Sequence, residues 1–394
     1  MRLVALAILP LIAACQNGGA TQADPAAAAS TRASPRAAAA AATSEPATAG
    51  EPFRSEEFAR FDEPWAMSFL PDGKLLVTEK AGKLKLFDPA TKTTGEITGI
   101  PKVAYGGQGG LGDVVPHPAF AQNGLVYFSY AEAGDGGTRG AVVARAKLTL
   151  SGNGGALSSP EIIWRQTPKV EGGGHYSHRI VFAPDGKLFI SSGERQKFDP
   201  AQDMQSNMGK IVRLNDDGSV PADNPFASQG GVAAQVWTLG HRNTLGLAFD
   251  GAGQLWNNEM GPKGGDELNI ITKGDNYGYP IVSNGDHYDG RPIPDHDTAP
   301  QYHAPRVSWT PVISPSSMIF FSGALFPQWQ GRALIGGLSS ESLVVVKFEG
   351  ENAAREETRY GMGERIREVQ QGPDGAVWLL EDGKNARLLK LTSR

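Results

Sequence analysis

The fold of this chain is decided by a short unit that is clearest in Phe182-Ala-Pro-Asp-Gly-Lys-Leu-Phe-Ile-Ser191. In this unit an Asp-Gly turn leads directly into an apolar strand. Glycine adopts the positive φ of such a turn without steric cost, so Asp-Gly between apolar runs is a strong signal for a β-hairpin. We therefore predict two antiparallel strands joined at this turn.

The unit recurs through the chain from Phe53 onward. Its other copies are Phe69-Leu-Pro-Asp-Gly-Lys-Leu-Leu-Val-Thr78, Phe249-Asp-Gly-Ala-Gly-Gln-Leu-Trp256, Gln371-Gly-Pro-Asp-Gly-Ala-Val-Trp-Leu-Leu380 and, more weakly, Ala121-Gln-Asn-Gly-Leu-Val-Tyr-Phe128 and Trp329-Gln-Gly-Arg-Ala-Leu-Ile335. The six turn glycines, at 73, 124, 186, 253, 331 and 375, lie roughly 45 to 80 residues apart. That spacing is near or above the usual length of a propeller blade.

Six spaced copies of one unit, without long helical periodicity, predict an all-β fold. The arrangement that fits best is a six-bladed β-propeller of four-stranded antiparallel blades. A β-sandwich or two small β domains is the alternative. We expect closure to pair a strand near Phe58 with the last blade, because this pairing hides the sheet edges.

Composition limits the classes of partner. Of the 394 residues, 40% are hydrophobic and 20% are charged, so the chain can bury a core. The net charge of −5 and the pI near 5.9 argue against nucleic acid as the main partner. Binding of nucleic acid phosphates needs a basic surface.

The N-terminus is predicted to be a targeting segment. Arg2 precedes a short apolar run that ends at Ala14 and is too short to span a bilayer as a permanent helix. Residues 1–14 are therefore predicted to be a signal peptide. Cys15, the single cysteine of the chain, follows a run of small residues that resembles a bacterial lipobox, which implies a lipidated N-terminus. An ordinary secreted protein in which Cys15 is incidental is the alternative.

The next segment, residues 15–50, is rich in Ala, Pro, Ser and Thr and has almost no large apolar side chains. Such a segment cannot offset the entropy cost of ordering, so we predict a flexible tether. The catalytic domain is then residues 51–394. These features predict a protein on the periplasmic side of the cell envelope, an outer-membrane lipoprotein that contacts the membrane only through its N-terminal lipid.

Six long irregular stretches are predicted to be the loops that carry the chemistry, because loops on a rigid scaffold commonly do so. They are residues 105–115, 171–179, 193–210, 240–246, 257–279 and 285–317. Within them, Gly172-Gly-Gly-His-Tyr-Ser-His-Arg179 presents His175, a candidate general base near neutral pH. The alternative is a histidine that only satisfies hydrogen bonds of its loop.

Two further loops offer groups that bind anions and cations. Arg242 and Asn243 precede an apolar strand and can bind carboxylate or quinone edges. Glu259-Met-Gly-Pro262 and Asp266-Glu267 place oxygen ligands in a glycine-rich loop of the kind that calcium uses. A solvated acidic turn is the alternative.

Polar side chains in two other stretches complete the candidates. Gln108 is the polar residue of the glycine-rich loop Tyr105-Gly-Gly-Gln-Gly-Gly-Leu-Gly112. Arg365 and Arg367 alternate along a predicted strand, so both point to one side and together favour an anion. An exposed strand face is the alternative. The chain has no serine-hydrolase elbow, no His-Glu-x-x-His and no Walker loop.

Taken together, these stretches resemble the soluble PQQ-dependent aldose sugar dehydrogenase family, which is related to soluble quinoprotein glucose dehydrogenase. The resemblance runs from about Phe58 to Leu391. It is carried by Gly106-Gly-Gln-Gly-Gly-Leu-Gly112, His175-x-x-x-Arg179, Asn207-Met-Gly-Lys-Ile-Val-Arg-Leu-Asn215, Gly218-Ser-Val-Pro-Ala-Asp-Asn-Pro-Phe226, Gly240-His-Arg-Asn243, Glu259-Met-Gly-Pro262, Asn276-Tyr-Gly-Tyr-Pro280 and Arg365-Ile-Arg367.

The resemblance implies a role for each candidate residue. His175 would be the catalytic base, with Arg242 as a second catalytic group. The residues that would bind pyrroloquinoline quinone (PQQ) are Gln108, Arg242, Asn243, Tyr288, Arg365 and Arg367. Calcium would be held by Gly261 and Pro262 at the cofactor, and by Glu267 and Tyr277 at a second site. The implied reaction is oxidation of aldose sugars at the anomeric carbon to lactones, with a quinone or cytochrome as the unidentified electron acceptor.

One position departs from the family pattern. The family usually has a lysine that contacts PQQ near Ser339, so its loss should weaken PQQ affinity or shift the cofactor. Two other functions stay open at this point. One is a calcium-dependent hydrolase of the lactonase kind, and the other is a non-catalytic binding propeller.

Overall fold

A computed structural model describes residues 50–350 and 353–394 of the chain. The predicted signal peptide and tether therefore lie outside the described residues, apart from Gly50. Across the described ranges the chain forms 26 strands and one short α-helix, α1 (Phe120–Asn123). None of the helices described is long and apolar enough to cross a membrane.

The strands follow one another in chain order. They are β1 (Phe53–Phe61), β2 (Pro64–Phe69), β3 (Leu75–Glu79), β4 (Lys83–Asp88), β5 (Thr93–Thr98), β6 (Leu111–Pro116), β7 (Leu125–Ala133), β8 (Arg139–Ser151), β9 (Gly154–Arg165), β10 (Ser177–Phe182), β11 (Leu188–Ser192), β12 (Lys210–Leu214), β13 (Val236–Leu239), β14 (Thr244–Phe249), β15 (Leu255–Glu259), β16 (Lys263–Gly264), β17 (Asp266–Ile270), β18 (Gly285–Asp286), β19 (Val307–Trp309), β20 (Pro315–Phe320), β21 (Ala333–Gly337), β22 (Ser342–Glu349), β23 (Ala353–Gly361), β24 (Ile366–Gln371), β25 (Val377–Glu381) and β26 (Ala386–Ser393).

Most of the sheets have four antiparallel strands. Their orders are β10-β11-β12-β13, β14-β15-β17-β19, β20-β21-β22-β23 and β1-β26-β25-β24. An eight-stranded sheet contains two further antiparallel units, β2 to β5 and β6 to β9, which join through a short parallel pairing of β5 with β9. The remaining sheet is the two-stranded pair β16-β18.

The predicted closure of the chain ends is confirmed. Strand β1 pairs with β26 over its whole length, from Phe53 opposite Ser393 to Phe61 opposite Ala386. Both phenylalanines are buried. The first strand of the described chain therefore completes the sheet formed by the last three strands, and its pairing covers the free edge of β26.

The first strands of the six four-stranded units lie side by side. Strand β2 contacts β6, and the contacts continue through β10, β14, β20 and β24 back to β2. Buried hydroxyls reinforce these contacts between four-stranded units: Thr78 Oγ1 donates to Gly112 O (2.6 Å) and Ser316 Oγ donates to Ile366 O (2.8 Å). The apolar clusters of the core lie between neighbouring sheets.

The predicted turns also agree with the structure. All six turn glycines have positive φ, from 65° at Gly124 to 84° at Gly73. The copy that contains Gly124 differs from the others. There the glycine ends helix α1 in the left-handed conformation rather than completing an Asp-Gly turn.

Strands extend into several of the stretches expected to be irregular, and residues 285–317 contain the whole of β18 and β19. Residues 257–279 were expected to be irregular, but Asp266–Ile270 form strand β17, which pairs with β15 on one side and β19 on the other. All five of its residues are buried. The segment resembles a loop in sequence because three of its five buried residues, Asp266, Glu267 and Asn269, are polar.

Candidate active site

The predicted loops meet around a cleft that consists of three adjoining cavities. The central cavity has a volume of about 520 Å³ and is lined by His175, Gln108, Arg242 and Tyr288 together with the 260–266 and 310–314 loops. The rim cavity, of about 240 Å³, shares His175, Arg242 and Tyr288 with it. The basic cavity, of about 230 Å³, shares Gln108 and Met260 with the central cavity and is lined by Arg365 and Arg367.

His175 lies between the central and rim cavities and is 7% exposed. Its Nδ1 forms a very short hydrogen bond with Glu194 Oε1, and Glu194 is fully buried. The other oxygen of Glu194 accepts from the backbone N–H groups of Lys197 (2.5 Å) and Phe198 (2.8 Å). The carboxylate therefore has a fixed position and, in turn, orients the imidazole ring.

The backbone at His175 is held in an uncommon conformation. His175, Ser177, Arg195 and Phe198 all have positive φ, between 48° and 63°, which residues other than glycine seldom adopt. The 172–179 and 193–198 loops that contain them pack closely, since a Cβ on Gly193 would lie 2.0 Å from His175 O. Backbone strain of this kind is concentrated at functional sites.

Arg195 ties the two loops together. Its guanidinium donates to the carbonyls of Gly174 (2.8 Å), Arg139 (2.7 Å) and Gly172 (2.6 Å), and it lies 3.7 Å from the centre of the Tyr176 ring. The side chain is fully buried, and its hydrogen-bonded partners are carbonyl groups rather than a carboxylate. Its partners include both residues 172 and 174 of the loop that precedes His175.

The pKa of His175 is below its ordinary value. Burial is the largest cause, and the charges of Arg242 and Arg195 act in the same direction, whereas the hydrogen bond to Glu194 opposes them. A neutral imidazole is therefore favoured near pH 7. With Nδ1 bonded to Glu194, Nε2 is the nitrogen available to accept a proton from a ligand.

Arg242 provides a cation at the same place. Its Nη1 donates to Met260 O (2.9 Å) and its Nη2 lies 3.4 Å from the Tyr288 hydroxyl. Nε is buried and has no hydrogen-bond partner among the described residues. The backbone N–H of Arg242 donates to Glu259 Oε2 (2.7 Å), so this carboxylate positions the arginine.

Arg365, directly before β24, and Arg367, on β24, both line the basic cavity, in agreement with the prediction that they point to one side. Both are held by Asp382: Arg365 Nε lies 2.9 Å from Oδ2, and Arg367 Nη2 lies 3.0 Å from Oδ1. Burial alone would raise the pKa of Asp382, but the two arginines outweigh it and hold the pKa below its ordinary value. Trp65 and Tyr176 provide flat apolar surface in the same cavity.

The four residues expected to bind calcium lie around a fourth cavity. Gly261, Pro262, Glu267 and Tyr277 line this small space, which has about 10 Å³ of room for a water-sized sphere. That is about the size of one water molecule or ion. Neither the Gly261 nor the Pro262 carbonyl accepts a hydrogen bond from another described residue.

The side chains of Tyr277 and Glu267 are already bonded to other protein groups and are therefore less available to bind a metal ion. The Tyr277 hydroxyl donates to Ile270 O, so a metal contact from this residue would have to use its backbone carbonyl. Glu267 lies 3.4 Å from His296 Nε2 and accepts from Asn269 Nδ2 (3.2 Å), and burial raises its pKa. Within residues 50–350 and 353–394, no group of three or more His, Cys, Asp or Glu residues is arranged to hold a metal ion.

With this geometry established, the chain can be compared with known proteins. The profile of the Glucose / Sorbosone dehydrogenase family matches residues 61–390. The chain belongs to the Glucose / Sorbosone dehydrogenase family.

Members of this family resemble the chain over most of its length. The aldose sugar dehydrogenase YliI of Escherichia coli (strain K12) is 38% identical over 340 residues, which are 85% of this chain and 91% of that protein. The crystal structure of the soluble aldose sugar dehydrogenase from Escherichia coli in the apo-form matches with a TM-score of 0.83, at 38% identity, over 87% of this chain and 100% of that chain.

A second solved structure contains the cofactor that the resemblance implies. The PQQ-bound form of the aldose sugar dehydrogenase from Streptomyces coelicolor matches with a TM-score of 0.71, at 27% identity. The match covers 87% of this chain and 98% of that chain.

The cleft of this Glucose / Sorbosone dehydrogenase family member fits a flat polyanion. Its basic cavity combines an aromatic surface with the cations Lys80, Arg365 and Arg367 against a single carboxylate, Asp382. PQQ is planar and has three carboxylates, for which clustered arginines are suited. The unpartnered Nε of Arg242 is a further donor next to the central cavity. The free carbonyls of Gly261 and Pro262 are ligands of the type that calcium prefers.

Two residues singled out in the sequence, Asn243 and Glu259, are bonded to neighbouring protein groups rather than free to bind a ligand. Asn243 lies beneath the cavities: its Oδ1 accepts from Ser177 Oγ (3.2 Å), and its Nδ2 lies 3.7 Å from Met260 Sδ. Glu259, considered in the sequence as an oxygen ligand, is occupied by His241 and the backbone of Arg242. Tyr288, by contrast, is 73% exposed at the mouth of the cleft.

The residue that sequence reasoning missed is Glu194. The sequence does contain a pattern that could have pointed to it. A glutamate ends the second strand of three other sheets, at Glu79, Glu259 and Glu381, and Glu194 lies close to the corresponding position. Glu79 and Glu259 each accept a hydrogen bond from the backbone that precedes the first strand of their own sheet. Glu194 comes two residues after β11 ends and bonds to His175 instead.

Proposed function

We propose that this protein is a PQQ- and calcium-dependent aldose sugar dehydrogenase that oxidises sugars at the anomeric carbon to lactones. The observation that carries the proposal is the His175–Glu194 pair, which faces a cleft lined by Arg242, Arg365 and Arg367. Membership of the Glucose / Sorbosone dehydrogenase family and the likeness to a PQQ-bound aldose sugar dehydrogenase support it.

The scaffold is proposed to be a six-bladed β-propeller. Six antiparallel four-stranded units and the closed series of contacts between their first strands support this architecture. In a propeller the innermost strands surround the central axis, so the loops that precede them meet at one end. That arrangement accounts for how residues as distant in sequence as Gln108 and Arg367 line the same cavity.

His175 is proposed to act as the general base. Its Nε2 takes the proton of the anomeric hydroxyl while hydride leaves the anomeric carbon, and the two losses together convert the hemiacetal to a lactone. Glu194 holds the ring orientation and stabilises the imidazolium that forms. When bound, PQQ supplies the acceptor for the hydride.

Arg242 is proposed to stabilise negative charge that develops on an oxygen in the central cavity. A cation that is already in position and screened from water is effective in this role because it needs no reorganisation during the reaction. Tyr288 at the cavity mouth and Gln108, which accepts the backbone N–H of His175 (2.7 Å), would line the space for cofactor and sugar.

Calcium is proposed to be held by the carbonyls of Gly261 and Pro262, and a second ion near Glu267 and Tyr277. A cation at the first position would lie beside the central cavity, where it could act as a Lewis acid. The scarcity of free carboxylates there makes a metal-dependent lactonase the less supported alternative, since such an enzyme would need side-chain carboxylates around its metal.

The proposal is tested by reconstitution. Purified apo-protein should oxidise aldoses with an artificial electron acceptor only when PQQ and calcium are both added. His175→Ala should reduce kcat by at least about a hundredfold while leaving PQQ binding intact. Lactone hydrolysis without PQQ would instead support the hydrolase. Intact folding without any PQQ binding would support a non-catalytic binding propeller.

The location of the protein remains a proposal that rests on Cys15. We propose lipidation there and anchoring at the outer membrane, with a quinone or cytochrome as electron acceptor. Expression in a Gram-negative host should place the wild-type protein in the membrane fraction, and Cys15→Ser should release it to the soluble fraction. Equal distribution of both forms would contradict lipidation.

A further inference from the structure

Lys80 lines the basic cavity but belongs to none of the motifs singled out in the sequence. It directly follows the last residue of β3 and is one of the residues that line the cavity, together with Arg365, Arg367 and Asp382. These four are the charged residues of the cavity lining, three cations and one anion.

The three cations differ in their partners. Arg365 and Arg367 are both bonded to Asp382, through contacts of 2.9 to 3.1 Å. Lys80 has no carboxylate within ion-pair distance anywhere in the described ranges. Since Asp382 offsets only one of the two arginines, the cavity has a net positive charge, and Lys80 is the cation with no ion pair.

Nearby carboxylates do not compete for the Lys80 ammonium. Glu79, its neighbour in sequence, accepts from Asp62 N (2.9 Å) and lies 3.9 Å from Lys85 Nζ. Glu63, whose carbonyl accepts the backbone N–H of Lys80, is bonded through its carboxylate to the Tyr105 hydroxyl.

Hydrogen bonds on both sides fix the backbone of Lys80. Its N–H donates to Glu63 O (3.0 Å) and its carbonyl accepts from Leu111 N (3.0 Å). A Cβ on Gly110 would lie only 2.1 Å from Lys80 O, so the segment that leads into β6 approaches this carbonyl closely. A long, half-buried side chain with a fixed anchor can therefore present its charge to the cavity at little further cost in backbone entropy.

From this arrangement we propose that Lys80 is a binding residue for a carboxylate of PQQ, the free cation of the basic cavity. The inference rests on the proposed function, because it assumes that PQQ occupies the cleft. Arg365 and Arg367 share their charge with Asp382, whereas the Lys80 ammonium can pair fully with a ligand carboxylate. It would thus supply a cation to a cleft in which Ser339 stands where the family usually has a lysine.

The test is a titration of apo-protein with PQQ at saturating calcium, followed by quenching of tryptophan fluorescence. Lys80→Met should weaken PQQ binding about 10- to 100-fold, the usual effect of losing a hydrogen bond between charged groups. Lys80→Arg should restore most of the affinity. A higher salt concentration should weaken PQQ binding to the wild type. It should also reduce the difference in PQQ affinity between the wild type and Lys80→Met.

Lys83→Met is the matched control, because Lys83 is exposed in the same hairpin and does not line the cavity. It should bind PQQ as the wild type does. The KM for the sugar should not change in Lys80→Met at saturating PQQ, since Lys80 lines neither the central nor the rim cavity.

Two results would overturn the proposal, and they are distinguishable. If wild type binds PQQ and Arg367→Met weakens binding but Lys80→Met does not, Lys80 is not a PQQ ligand although the proposed function stands. If the wild type itself fails to bind PQQ with calcium present, the proposed function fails and the role of Lys80 fails with it. A Lys80→Met variant that unfolds is replaced by Lys80→Gln, with circular dichroism as the check on folding.

Discussion

Glu194 sets both the orientation and the basicity of His175. Its carboxylate bonds to Nδ1, which leaves Nε2 for the proton transfer, and it is the group that raises the pKa of His175 against burial and the charges of Arg242 and Arg195. Because burial prevails, the pKa lies below its ordinary value of about 6.5. The imidazole should therefore remain an active base in mildly acidic solution.

Glu194→Gln is expected to lower kcat about 10- to 100-fold because the ring loses its orienting carboxylate. Removing the group that raises the pKa of His175 should also move the acid limb of the kcat profile to lower pH. The measurement is kcat from pH 5 to 8 in reconstituted enzyme. Glu161→Gln, an exposed residue paired with Arg145, should leave the profile unchanged. A limb that moves to higher pH would contradict this account of the pair.

Among the elements, the turns that join the first two strands of the four-stranded units need glycine because of its backbone conformation. Lack of space for a side chain is not the reason, as Gly253 shows. Gly253 has φ 81°, and a side chain there would meet nothing within 4 Å. Gly251 lies in the same turn, has equally open surroundings and does not have positive φ. The two positions thus differ in backbone conformation and not in available space.

Gly253→Ala is expected to reduce the free energy of unfolding by about 1 kcal/mol, the cost of a left-handed conformation for an L-residue. Gly251→Ala should cost nothing or stabilise slightly, because alanine restricts the unfolded chain. Urea denaturation of both variants provides the comparison. Equal effects would mean that the turn does not require positive φ at residue 253.

At the scale of the whole molecule, a buried ionic cluster joins three sheets. Arg179 on β10 lies 3.3 Å from Asp113 on β6 and 2.8 Å from Glu368 on β24. Burial, together with the charge of Asp113, raises the pKa of Glu368 to about 7 although Arg179 opposes this. The folded protein therefore binds a proton between about pH 4.5 and 7 that the unfolded chain does not bind.

Since the folded state holds the extra proton, the contribution of Glu368 to stability should fall as the pH rises through this range. Between pH 5 and 8 this contribution to the free energy of unfolding is expected to decrease by on the order of 2 kcal/mol. Glu368→Gln should remove most of this dependence, whereas exposed Glu357→Gln should not. Urea denaturation of the wild type and both variants at the two pH values is the measurement, and an equal change with pH in the wild type and Glu368→Gln would contradict the assignment.

Much of the architecture could be predicted from local patterns. Asp-Gly turns and the apolar runs that follow them report backbone preferences of a few consecutive residues, so their positive φ and their strands were correctly predicted. Strand β17 was missed because Asp266–Ile270 is polar in sequence yet buried. Its environment depends on neighbouring strands, which no local pattern reveals.

The sequence by itself determined the all-β class, the turns, the closure through β1 and part of the cleft lining, including Gln108, His175 and Arg242, because each of these follows from short-range chemistry or from the order of motifs. Only the tertiary structure decided the pairings: Glu194 with His175, Asp382 with both arginines, and Lys80 with no carboxylate. Ion pairs and hydrogen bonds act over a few ångströms between residues that can be far apart in sequence, so the charge available to a ligand depends on which groups the folded chain has already paired.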